Sequence, residues 1–478
     1  GFSGHVAVID DTLRIDSSGG TVDGITSTRS VITMDALNGD AGMLIGAEMH
    51  GTVRDALLVA SHEPFALASR VGIDPDLIAG TFDGRLEIVL PKLAGLTPAD
   101  VLYRVAADGH DVALTTELRG YALDGGSVTL LLDSEVALLE GNVRLNGVPF
   151  AGTYRHNFRP DAETLRVVNM RGRVDDADRA ALGMVDPIDI DGPVDVVLDM
   201  SQSADETMTW NVVVDLAPSA IDFPLIGIDK AVGDAGRAAL RLVDDGGAFL
   251  YLEAIELDIA STVVEGSGVL RSGDASLSRL DLTQFVFGRS DFSGAVSVRE
   301  DDVFDVTLSG GTVDMEPLME DVAASSGPTL PSFQIRGVLD RIWITDNDTV
   351  QNVHIDGTYV EDRWEALAIT GAIENETPMS VTIWRFSPDE RRFEYNAGNA
   401  GDAIRAFGLF DNATGGALQI RARIDDSDPE TPADGAIRME GFVLKEAPIL
   451  TEITSSASLT AMVSTLTEGG LEFDGALM

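Results

Sequence analysis

Apolar and polar residues alternate with a period of two over much of this chain. Phe82, Leu86, Ile88 and Leu90 share one parity, and Asp83, Arg85 and Glu87 take the other. Val194, Val196, Leu198 and Met200 alternate with Asp195 and Asp199. Ile255, Leu257 and Ile259 alternate with Glu256 and Asp258. Leu418, Ile420, Ala422 and Ile424 alternate with Gln419, Arg421, Arg423 and Asp425. Such spacing predicts strands with one apolar face and one wet face. Turn signals punctuate them at Asp124-Gly125-Gly126, Asn146-Gly147, Asp245-Gly246-Gly247, Asp356-Gly357 and Thr414-Gly415-Gly416. Short connections make neighbours antiparallel, because parallel pairing needs a long crossover. The expected fold is mainly β: a long twisted antiparallel meander curled into an open groove, with a few short capping helices.

The expected helices are Arg54–Ala60, Pro64–Val71, Asp175–Gly183 and Asp402–Gly408. Asp175 to Gly183 carries acids at its start and glycine at its end, which suit the helix dipole and a left-handed cap. The longest helical spacing begins at Pro448 and runs through Leu450, Ile453, Ala457, Leu459, Met462, Val463 and Leu466 to Gly469-Gly470, as one helix or as two broken near Ser455-Ser456. The stretch Ala323 to Pro331 reads as a linker, and Arg159-Pro160-Asp161 as a softer boundary. These divide one elongated body into β segments at 1–159, 160–325 and 326–478. The recurring strand-turn-strand unit favours such a body over unrelated globules.

Charge narrows the partners. With 33 Lys+Arg against 79 Asp+Glu the net charge is −46, which excludes a nucleic-acid binder. A hydrophobic share of 44% excludes a disordered acidic tail, and the absence of Cys excludes disulfides, thiolate metal sites and a Cys nucleophile. No run of residues is long and apolar enough for a membrane helix. The start, Gly1-Phe2-Ser3-Gly4-His5, has no initiator Met and no signal-peptide pattern. The chain therefore reads as an excised piece whose anchor or export signal lies elsewhere.

Chemistry is sparse. His5, His50, His62, His110, His156 and His354 show no paired helical spacing, and His354 is expected to face solvent from a strand. Asp189-Ile190-Asp191-Gly192 and Asp346-Asn347-Asp348 resemble fragments of calcium loops but lack the remaining ligands, so they read as acidic turns. No GxSxG, Walker A or Rossmann pattern occurs. Gly266-Ser267-Gly268 reads as a bulge within a strand. Of the three lysines, Lys92, Lys230 and Lys445, Lys230 reads as a surface loop charge. No catalytic residue, metal site or cofactor is assigned.

So much apolar sheet face must be covered. The helices are too few to cover it, which leaves sheet packed on sheet or a groove open to an apolar ligand. The inward candidates are aliphatic, and aromatics make up only 6%. Such a lining suits acyl chains better than sugars. The candidate groove residues are Leu86, Ile88, Leu90, Leu114, Leu118, Val194, Val196, Leu198, Ile255, Leu257, Ile259, Leu418 and Ile420.

Four phrases carry a resemblance to a known family: Leu139 to Tyr154, ending "GVPFAGTY"; Asp175 to Gly183, "DDADRAALG"; Asp402 to Leu418, "DAIRAFGLFDNATGGAL"; and Phe442 to Phe473. In this order they resemble the AsmA-like family, in particular its long YhdP-type members, with Tyr154 where the family usually has Trp. The resemblance implies a β-groove protein anchored in the inner membrane of Gram-negative bacteria through an N-terminal helix. It implies a periplasmic location, phospholipids as partners, possible contacts with inner- and outer-membrane envelope proteins, and movement of phospholipid toward the outer membrane without catalysis. Two other classes fit the residues: a structural or adhesive envelope protein, calcium-tuned or not, and a polysaccharide-active enzyme on a β scaffold.

Overall fold

The computed structural model describes residues 4–35, 41–62, 65–97, 100–114, 122–184, 189–223, 228–299, 301–315, 330–345, 348–373, 376–406, 413–428, 433–444, 471–473 and 476–477. The protein is mainly β, with an open sheet that is not closed into a barrel, and four short α-helices among the described residues. These are α1 (Val53–Ala60), α2 (Leu67–Val71), α3 (Asp176–Ala181) and α4 (Ala400–Ala406). The C-terminal helices expected after Pro448 lie outside the described residues. Contacts group the chain into two units, Gly1–Ile221 with Lys230–Phe249, and Asp222–Asp229 with Leu250–Met478. The grouping does not coincide with divisions at 160 and 326. Arg159 to Asp161 lies in the connection between two paired strands, Val148–Asn157 and Thr164–Val174.

In the first unit the strands follow one another as an antiparallel meander. Ile25–Asp35 pairs with Gly42–Thr52, then Ile78–Leu90, Leu102–Leu114, Leu123–Asp133, Val136–Leu145 and Val148–Asn157 in turn. Thr164–Val174, Val194–Ser203, Met208–Asp215 and Gly236–Asp244 continue the series. Along Ile78–Leu90 exposure alternates as the sequence does: Phe82, Leu86, Ile88 and Leu90 are sheltered, while Asp83, Arg85 and Glu87 are exposed.

The second unit is also a meander, with one departure. Phe304–Asp314 and Phe333–Trp343 run parallel. The connection from 315 to 332 is long enough for the crossover that parallel pairing requires. Most of the expected linker at 323–331 lies outside the described residues. Beyond it, Thr349–Val360, Arg363–Ile373, Thr377–Ser387, Glu390–Ala397, Ala413–Asp425 and Ala433–Leu444 pair antiparallel in sequence order.

Glycine is not always a turn here. Asn146 (φ 49°) and Gly147 (φ 84°) do form a hairpin turn, and Gly246 (φ 76°) sits in the bend that follows Gly236–Asp244. Asp124-Gly125-Gly126, Asp356-Gly357 and Thr414-Gly415-Gly416 instead lie inside strands. At Gly357 a Cβ would sit 2.6 Å from the Trp364 ring, so the glycine makes room for a neighbouring aromatic.

Lys230 corrects another expectation. It is buried, at 1% exposure, and its Nζ donates to the carbonyls of Ser219 (2.7 Å) and Ala231 (3.2 Å). The amine satisfies backbone acceptors that sequence spacing could not reveal. His354 is exposed on its strand, as its parity predicts. Gly266-Ser267-Gly268 lies in the strand Thr262–Arg271, where the register shifts between Glu265 and Gly266.

Candidate apolar track and cavity

Register turns the alternating parity into rows that cross the sheet. One row in the first unit runs Met49, Gly84, Ala107, Leu130, Leu139, Tyr154, Val168, Met200, Trp210 and Leu242, each directly opposite the next. A second runs Phe82, Gly109, Val128, Gly141, Gly152, Met170, Leu198, Val212 and Leu240. In the second unit Leu308, Gly337, Ile355, Ile369, Val381, Tyr395, Ile420 and Ile437 form one row, and Val306, Ile335, Gly357, Leu367, Ile383, Phe393 and Ala422 another. Neither row carries a charge. Burial pushes the Tyr395 phenol up to about 12, so its ring joins the apolar row as a neutral group.

The opposite face is polar at the same register positions. Arg85 pairs with Glu48 (3.3 Å), Arg173 with Asp195 (3.7 Å), Arg336 with Asp356 (3.7 Å) and Arg421 with Glu394 (3.2 Å). Asn169 donates to Asp199 at 2.6 Å and Thr129 to Asp108 at 2.8 Å. Exposed pairs of this kind add little stability each. Their effect is to fix register and keep one face wet.

In the first unit α1 and α2 stand over the apolar rows. Thr52 caps α1 by accepting the Asp55 N–H. Val53, Ala56, Leu57, Val59 and Ala60 of α1 face the sheet, yet no residue of α1 is fully buried. Between helices and strands lies a cavity of about 260 Å³. Its strand wall includes Phe82, Leu86, Val105, Ala107, Val128, Leu130, Leu132, Ala137 and Leu139. Phe65, Leu67, Val71 and Ile73 complete the helical side, and Tyr154 supplies the lining's hydroxyl group.

Polar groups gather where Leu67–Val71 meets the strands. The Tyr154 hydroxyl and His156 Nδ1 share a 3.0 Å hydrogen bond. Burial raises the Tyr154 and Tyr103 phenols. Burial, and then the charges of Arg166 and Arg70, lower the His156 pKa and favour neutral imidazole. Arg70 lies 4.0 Å over the Phe158 ring and donates to Tyr103 Oη (3.4 Å) and to the Ser134 and Phe158 carbonyls (both 3.5 Å). Arg166 donates to the Val71 carbonyl at 3.4 Å, and its buried Nε has no hydrogen-bond partner.

The candidate groove residues fall into three groups. Leu86 lines the cavity, and Ile88 packs against the cluster of Leu67, Tyr103, Leu132 and Ala137 beside it. Leu90, Leu114, Val196, Leu198, Ile255, Leu257 and Ile420 are half-buried. Val194 (5%), Ile259 (1%) and Leu418 (6%) are buried, and Leu418 packs within a closed core. Leu118 lies outside the described residues. Sequence reasoning did not single out Arg70, Tyr154, His156 or Arg166 as a group. The available signal was parity: Tyr154 and His156 place polar atoms on the inward side of an otherwise apolar pattern.

Among the described residues no three His, Asp or Glu side chains are placed to share a metal ion, and no helix is long and apolar enough to cross a membrane. The chain matches no protein-family model, no curated protein and no solved structure.

Proposed function

We propose that this chain is a periplasmic segment of a membrane-anchored protein that carries phospholipid acyl chains along an apolar β-groove toward the outer membrane. The observation that supports this most is the charge-free rows. In each unit uncharged, mostly apolar positions succeed one another from strand to strand, and the ion pairs lie on the other parity. An acyl chain laid across the strands meets a new uncharged position about every 4.8 Å. Each methylene kept from water is worth about 0.8 kcal/mol. A lipid sliding along such a row exchanges like contacts for like and avoids that cost at every step. The acidic outer face keeps the sheet hydrated. No reacting group is required, and the AsmA-like resemblance supplies the direction of travel.

Photo-crosslinkers placed in cells at Leu86, Ile88, Leu198 and Ile420 test the reading. Phospholipid adducts are expected at these four positions and not at Arg85 or Arg421. Equal labelling at both parities, or none at either, would overturn it.

A further inference from the structure

Acids outnumber bases 79 to 33, and the wet face of the sheet carries many of them. One wet-face row of the first unit holds Asp83, Asp108, Glu140 and Asp199 in register. A wet-face row of the second unit holds Asp356 and Glu394. The row beside it differs. It runs from Ser293 to Arg438 across nine strands and contains no acid.

The row ends in Thr370, Ser380, Asn396, Gln419 and Arg438, each directly opposite the next. All five line one hollow of about 670 Å³, bordered by the compact side chains of Pro378 and Ala417 and by Gly398. Ser380, Asn396 and Gln419 are half-buried. Gln419 Nε2 donates to Asn396 Oδ1 at 2.9 Å and to Glu394 Oε1 at 3.0 Å. Among the described residues the Thr370 and Ser380 hydroxyls, Asn396 Nδ2 and Gln419 Oε1 make no hydrogen bond. Arg438, the cation of this group, is paired with Glu440 on its own strand.

Hydroxyls and amides both donate and accept. A ligand rich in hydroxyls answers both needs. An anion would meet Glu394 and Glu440 with the nearby guanidinium already engaged, and an acyl chain would take water from these groups without replacing its bonds. The rungs recur about every 4.8 Å, close to the advance of one pyranose unit along an extended β-1,4-linked glycan. We infer that this hollow on the wet face of the second unit is a binding site for an uncharged, extended oligosaccharide, laid across the strands with its hydroxyls on Ser380, Asn396 and Gln419. The site stands apart from the transport reading. It lies on the parity opposite the acyl rows, so a glycan can occupy it whether or not lipid moves on the other face.

Titration of the whole chain with cellohexaose, maltohexaose and hexagalacturonate, followed by saturation-transfer NMR, tests the inference. Cellohexaose is expected to bind one to one at millimolar concentration, and more tightly than the coiled maltohexaose. Ser380→Ala and Asn396→Ala each weaken cellohexaose binding about 3- to 10-fold, the range of one neutral hydrogen bond, with the melting midpoint preserved. Asn169→Ala, the same residue type on the acid-bearing row of the first unit, leaves it unchanged. No binding of cellohexaose at millimolar concentration overturns the site, and equal binding of maltohexaose overturns the extended geometry. Tighter binding of hexagalacturonate overturns the uncharged assignment. Trp384 lies farther along the strand of Ser380, 38% exposed. Binding lost in Trp384→Ala but kept in Ser380→Ala and Asn396→Ala would place the sugar off the row and overturn the site as well. The comparison of ligands on the unaltered chain stands even if a variant fails to fold.

Discussion

Two helical regions cover apolar sheet in opposite ways. In the second unit α4 lies tight on its strands. Ala400 and Ala403 are fully buried, and their small side chains let the helix backbone approach Met379, Ala397 and Leu418. Asn399 and Asp402 lock its first turn: the Asp402 N–H donates to Asn399 Oδ1 at 3.2 Å, and Asn399 Nδ2 returns a bond of 2.6 Å. Thr377 donates to the same carboxylate at 3.3 Å, tying the helix to a strand. In the first unit α1 turns larger side chains, Val53, Leu57 and Val59, toward the sheet and buries none of them completely. Small residues made a seal in one place; larger ones, propped on a wide strand wall, left a void in the other. The contrast separates a part built to stay shut from a part with room for a guest.

The largest expected effect is on the closed side. The carboxylate of Asp426 is 2% exposed and accepts three bonds from Arg391, whose side chain is 8% exposed and also donates to the Trp364 carbonyl at 2.8 Å. Glu365 and Arg385 pair beside them. Removing one charge from a buried pair strands the other. Asp426→Asn is therefore expected to destabilise the second unit by about 3–5 kcal/mol. Urea unfolding followed by Trp343, Trp364 and Trp384 fluorescence, with Trp210→Phe as background, measures it. A loss below about 1 kcal/mol, the scale of an exposed pair, would mean that this end of the sheet is open to water.

Core truncations sharpen the same contrast. Ile373 is 1% exposed within the α4 core. Ile373→Ala is expected to cost about 2–5 kcal/mol, transfer and new cavity together. Leu130 lines a void that already exists, so Leu130→Ala is expected to cost about half as much or less, the cavity term being largely absent. Equal losses in urea midpoints, the first-unit transition being read from Trp210, would show that the first-unit cavity is filled in solution.

Much of this could be read from the residues. The parity of Ile78–Leu90 is the exposure pattern of that strand, because period two is fixed by the pleat and needs no tertiary information. Helices were expected at Arg54–Ala60, Pro64–Val71, Asp175–Gly183 and Asp402–Gly408, and the described ones are Val53–Ala60, Leu67–Val71, Asp176–Ala181 and Ala400–Ala406; end signals, acids and a closing glycine, marked the third. What failed did so where distant neighbours decide. Gly357 answers to the Trp364 ring, and Lys230 to the carbonyls of Ser219 and Ala231. The parallel pair depends on a crossover that carries no pattern. The polar cluster beside α2 unites Arg70, Tyr103, Tyr154, His156 and Arg166, separated by up to 96 positions (166 − 70). Their shared location follows from register and from the placing of α2. Leu418 was chosen by parity as a groove residue, but parity cannot say whether a helix will sit on top of it.

The smallest effect is a difference in pH response. In the first unit His156 is 6% exposed, and its folded pKa lies below the usual 6.5, first from burial and then from Arg166 and Arg70. The unfolded chain therefore binds the proton more readily. The contribution of neutral His156 is complete above 6.5 and is lost as pH falls toward the depressed folded value. In the second unit the Asp426 carboxyl is held below its usual 3.8, mainly by hydrogen bonds from Arg391, and Glu365 below 4.5, mainly by Arg385. Their contribution is full above those ordinary values and disappears only as pH falls through the lower folded ones. Between pH 7 and pH 5 the first unit is thus expected to lose stability while the second holds. Trp210 and the trio Trp343, Trp364 and Trp384 report the two separately in urea. His156→Phe is expected to flatten the first-unit slope over that interval and to leave the second unchanged. A slope that persists without the imidazole would place the titrating group elsewhere in the first unit.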